Sequence, residues 1–157
     1  MAVEITDPLE RATRAARASS PHGWTELSDS IMGKVRLIVA AGQPLVAYSP
    51  SGSPVHDDAG STVRVSSRAV TAAVRRALQE PSYVLDGVSL HADDQRLVAI
   101  DLELVCAYGT ELMADAVDAR TRALDAVLAL LGPVPGLGPA QVEVRITDVV
   151  QGDPRST

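Results

Sequence analysis

From Arg96 to Leu131 the chain reads RLVAIDLELVCAYGTELMADAVDARTRALDAVLALL, where a period of two gives way to a period near that of a helix. In the first part Ile100, Leu102, Leu104 and Cys106 alternate with Asp101 and Glu103, the pattern of a strand with one face buried and the other in water. Gly109 and Thr110 then end the strand and cap a helix from Glu111 to Leu131. Its apolar side is drawn from Met113, Ala116, Val117, Leu124, Val127, Leu128 and Leu131. A half-buried strand running into a long amphipathic helix predicts an α+β fold, a small mixed sheet with helices packed on one face.

Upstream, Tyr83 to His91 reads as a second strand, joined to the first across Ala92, Asp93, Asp94 and Gln95, residues suited to a hairpin turn. Before it, STVRV is a short strand, Ser66 or Ser67 caps a helix through Leu78, and Pro81 forbids that helix from continuing. Downstream, Gly132 to Pro139 is a stiff connector and QVEVRIT alternates as a closing half-buried strand. Residues 61–150 thus form a strand, helix, strand, strand, helix, strand unit. The tail from Gln151 is polar and is expected to fray.

Residues 1–60 read as an N-terminal helical extension. Asp7, Pro8 and Glu10 start a helix to about Ala18, with Arg11, Arg14 and Arg17 as a basic stripe over a face of small residues. A short strand and a Ser28-capped helix to about Ala41 follow, with Ile31, Met32, Val35 and Ile38 as its apolar stripe. PLVAYS is a further short strand, and the polar, Gly- and Pro-rich run to Ser61 divides this part from the rest. LSDSIMGKVR echoes VSSRAVTAAVR, which shared cap chemistry explains without a repeat. The three pieces, 1–60, 61–150 and 151–157, are expected to make one compact domain.

Composition narrows the function classes. The net charge of −6 and pI near 4.9 oppose an extended phosphate-binding surface, and 3% aromatics with no Phe leave few platforms for stacking bases. RNA binding by the α+β unit is therefore a disfavoured alternative. All 14 basic residues but Lys34 are arginine. The one cysteine, Cys106, rules out an intrachain disulfide, and the absence of a signal-like or membrane-spanning apolar run points to a cytoplasmic protein.

Candidate chemistry is sparse. His56, Asp57 and Asp58 have the donor types of a metal site, so a metal-dependent enzyme is the other alternative; three consecutive residues seldom converge on one ion, and the loop context favours turn chemistry. Asp101 and Glu103 share a strand face, where a partner surface accounts for them better than a catalytic carboxylate pair. Cys106 lies in phase with the apolar residues and reads as an inert buried thiol. Arg68, Arg75 and Arg76 give the helix after Ser66 a basic edge, and Arg11 and Arg14 do the same for the first helix; Arg68, Arg75, Arg11 and Arg14 are candidates for contact with a partner. The reading assigns no catalytic residue, no cofactor and no metal.

The segments VRVSSRAVTAAVRRAL, VAIDLELVCAYGTELMADAVDARTRALDAVLALLG and VEVRITDVV, in that order, are similar to the alkaline shock protein family, the envelope stress response proteins of Gram-positive bacteria. GWTELSDSIMGKVR ahead of them resembles the arrangement in actinobacterial members. The connector before the last strand is longer than in that family, and short members have no counterpart of the first sixty residues. The resemblance implies a non-enzymatic cytoplasmic protein of envelope homeostasis, able to self-associate and held near the membrane in some members by a separate membrane-anchor protein.

Overall fold

The computed structural model describes residues 38–156. The chain divides between Arg36 and Leu37, and every described residue lies in the second unit. The helices expected over Pro8–Ala18 and from Ser28, with Arg11 and Arg14, lie outside the described residues, except for the end of the second. There the expectation fails: residues 38–41 are not helical. Ile38 instead pairs with His91, the Val39 N–H donates to Leu90 O at 2.9 Å, and Ile38 is 48% exposed rather than part of an apolar stripe.

The elements run β1 (Pro44–Val46), β2 (Arg64–Ser66), α1 (Ser67–Ala77), β3 (Tyr83–Asp93), β4 (Arg96–Ala107), α2 (Leu112–Leu131) and β5 (Val142–Val150), with single 3-10 turns at Pro139–Gln141 and Pro154–Ser156. The fold is α+β. β1 and β2 make a small antiparallel ribbon, and β3, β4 and β5 make a mixed sheet in that order, β4 antiparallel to β3 and parallel to β5. A parallel neighbour requires a crossover, and α2 with its connector supplies it.

The core lies between the helices and one sheet face. Val70, Val74 and Leu78 from α1 and its cap, Ala119, Ala123, Val127 and Leu131 from α2, and Ile100, Leu102, Leu104 and Cys106 from β4 are all essentially inaccessible. The buried side of α2 agrees with the expected one at Val127 and Leu131 and departs from it in the first half of the helix. Its small alanines, four apart, let the helix approach closely, while Met113 and Val117 are 79% and 54% exposed. With no Phe available, the core is aliphatic, and Tyr83 is its largest fully buried side chain.

Several local readings are sharpened by the geometry. Ser66 is the α1 N-cap, accepting from Arg68 N, whereas buried Ser67 accepts from Gly42 N and donates to Ala40 O, pinning the preceding turn. Thr110 does not cap α2. Its hydroxyl donates to Ala107 O, and Glu111 occupies the cap position without a side-chain bond. The hairpin turn is tighter than expected, with only Asp94 and Gln95 between the strands, both at positive φ. That left-handed pair is secured from outside: Val46 N donates to Gln95 O, and Arg64 Nε donates to Gln95 Oε1 at 2.6 Å.

Residues 38–60 are not a separate extension. Leu45 is fully buried in the common core beside Tyr48, and the Tyr48 N–H donates to Leu131 O at the end of α2. Gly132, at φ 74°, follows that carbonyl, and a Cβ there would stand 1.9 Å from Tyr48 O. Only glycine fits. The tail also departs from expectation, since Pro154 is buried and Arg155 grips Asp153 at 2.6 Å.

Candidate interaction face

Strand alternation decides what the open side of the sheet displays. On β4 the residues between the buried aliphatics are Asp101 and Glu103. Their register partners are Ser89 and Gly87 on β3 and Glu143 and Arg145 on β5. These side chains stand opposite the face on which the core is built, and they form one continuous polar surface across three paired strands.

The geometry of this face is specific. His91 Nε2 and Asp101 Oδ2 are 2.7 Å apart, with the His91 side chain largely covered. Glu103 folds across Gly87, where an added Cβ would lie 2.5 Å from its Oε2, and its other carboxylate oxygen is 3.7 Å from Arg145 NH1. Arg145 also lies 3.9 Å from Glu143, so one guanidinium makes long ion pairs with two acids. The hollow among Gly87, Ser89, Asp101, Glu103, Glu143 and Arg145 has a volume of about 70 Å³, well below the roughly 300 Å³ at which small-molecule sites begin.

The other sequence candidates lie elsewhere. Arg68 and Arg75 border a groove of about 380 Å³ between α1 and β3, floored by Val39, Val88 and Leu90, and neither is among the residues around Asp101 and Glu103. Asp57 is engaged in its own loop: its Oδ1 accepts from Ala59 N at 3.0 Å and Ser61 N at 2.8 Å, while His56 pairs across the loop with Thr62. That is turn chemistry. Among the described residues no three His, Cys, Asp or Glu side chains come together as metal ligands.

Cys106 is fully buried, as its phase in the strand requires, and burial pushes its thiol pKa up, with nearby Asp115 adding to the effect. This disfavours the nucleophilic thiolate. Sequence reasoning missed the network that ties β3 to α2. Tyr83 OH donates to Asp118 Oδ2 at 2.6 Å, Arg122 Nε donates to the same oxygen at 2.8 Å, and Arg122 NH1 reaches Glu80 at 2.6 Å. Burial first, and the Asp118 bond second, push the Tyr83 hydroxyl above the ordinary phenol range. Only the (i, i+4) spacing of Asp118 and Arg122 was visible in the sequence.

Comparison of the chain with protein-family models, curated proteins and solved structures gives no match.

Proposed function

We propose that this protein is a non-enzymatic component of envelope stress homeostasis that acts by protein–protein contact or self-assembly near the membrane. The observation that carries the reading is the open polar face of the β3–β4–β5 sheet, with Asp101, Glu103, Glu143 and Arg145 displayed on strands whose opposite face is a packed aliphatic core. A rigid backbone presenting charged side chains offers a partner a pre-organised surface, so little ordering entropy is lost on binding. The succession of strand, helix, hairpin, helix and parallel closing strand supports the same reading, because it follows the order of segments that resemble the alkaline shock proteins.

No helix among the described residues is long and apolar enough to cross a membrane. Attachment in this reading therefore runs through a membrane-anchor partner, with no cofactor and no nucleic acid involved. A photo-crosslinking residue placed at Glu103 should capture protein from the envelope fraction, and the same residue at Arg76, exposed on α1, should capture none. Equal capture from both positions, or none from Glu103, would remove the reading.

A further inference from the structure

α1 lies along the outer edge of β3. At its start the Ser67 hydroxyl donates to Ala40 O and accepts from Gly42 N, just past the Val39 N–H that donates to Leu90 O; after its end Gln79 pairs with Val84. Between these two anchors the β3 edge has no strand beside it among the described residues. The wall of α1 above that gap carries Arg68, Thr71, Ala72 and Arg75, one face of the helix by their spacings of three and four. Its two middle residues are small, so a groove of about 380 Å³ stays open over Val39, Val88 and Leu90. That volume lies in the range of small-molecule sites. The bridges at Ile38–His91 and Gln79–Val84 leave too little edge for an added strand.

The charge around this groove is of one sign. Arg68 and Arg75 are the charged residues in its lining, both are exposed, and neither forms an ion pair among the described residues. α1 has no acidic residue to offset them, in a chain whose net charge is −6. Arg68 Nε would stand 3.6 Å from a Cβ on Gly42, so its guanidinium lies over the turn that closes one end of the groove. Arg75 stands two helical turns on, about 10 Å away by helix rise. The two cations thus mark the ends of an apolar strip. We infer that the groove binds a linear dianion, an apolar chain of about eight to ten carbons with a carboxylate at each end. The chain lies over Val39, Val88 and Leu90, and each carboxylate meets one guanidinium. A monoanion leaves one arginine without a partner, and a short dianion cannot span the strip.

The groove lies apart from Asp101 and Glu103, so its test leaves the contact proposed for the sheet face untouched. Calorimetric titration of the full chain with decanedioate should show one site. Decanoate, and butanedioate for want of length, should each bind about 10-fold more weakly, the loss of one charge-assisted contact. Arg68→Gln and Arg75→Gln should each lower decanedioate to the affinity of decanoate. Ala72→Leu, which fills the middle of the groove, should abolish binding of both. No binding of decanedioate to the wild type, equal affinity for decanedioate and decanoate, or a dianion indifferent to both arginine variants would overturn the assignment.

Discussion

The two faces of β4 are built from neighbouring residues yet obey opposite constraints. Ile100, Leu102, Leu104 and Cys106 are sealed against α1 and α2, while Asp101 and Glu103, one residue away, are each 44% exposed in their side chains. The sealed face has nowhere to move, because interiors are packed as densely as organic crystals. The open face carries ion pairs that exchange readily with water and are worth little to stability. One strand therefore separates what holds the fold from what is free to serve a partner.

That contrast can be broken most severely from the sealed side. Gly132→Ala should cost roughly 4 kcal/mol, since the backbone conformation is one that L residues avoid and the new Cβ meets the Tyr48 carbonyl; urea unfolding measures it. Leu104→Ala should cost about 3 kcal/mol, with a cavity under both helices. Tyr83→Phe removes one buried hydrogen bond and should cost about 1 kcal/mol near neutral pH.

The same tyrosine gives a pH signature. Its folded pKa lies above the ordinary phenol value of about 10, so above that pH the unfolded chain releases the phenol proton while the folded chain retains it. The folded state then binds more protons, and stability falls as pH rises through this window. Thermal melts from pH 9 to 11 should show that loss in the wild type and a shallower one in Tyr83→Phe. The smallest effect belongs to the open face: Asp101→Asn with Glu103→Gln should change unfolding free energy by under about 0.5 kcal/mol.

The sequence made the sealed and open faces of β4 legible because alternation has an unambiguous period of two. It also revealed α1, capped by Ser66 and stopped before Pro81, and the β3–β4 hairpin. For α2 it placed Val127 and Leu131 on the buried side, but not Ala119 and Ala123, which are sealed where Met113 and Val117 were expected. Met113 and Val117 are more hydrophobic than Ala119 and Ala123, and the small residues win for a steric reason, close packing against α1 and the sheet, that periodicity cannot weigh. The parallel register of β5 depends on a crossover, and the docking of Leu45 and Tyr48 depends on contacts remote in sequence. Neither leaves a local signal. At the candidate face, Asp101 and Glu103 were legible, and their company of His91, Glu143 and Arg145 followed only from strand pairing. Arg68 and Arg75, although exposed as expected, border a different groove.

If the open sheet face makes the functional contact proposed for it, co-sedimentation of the protein with the envelope fraction of its own cells depends on Asp101 and Glu103. Wild-type protein should sediment with the envelope, and the Asp101→Arg, Glu103→Arg double variant should remain in the supernatant at equal abundance. Equal sedimentation of the two proteins would contradict the claim.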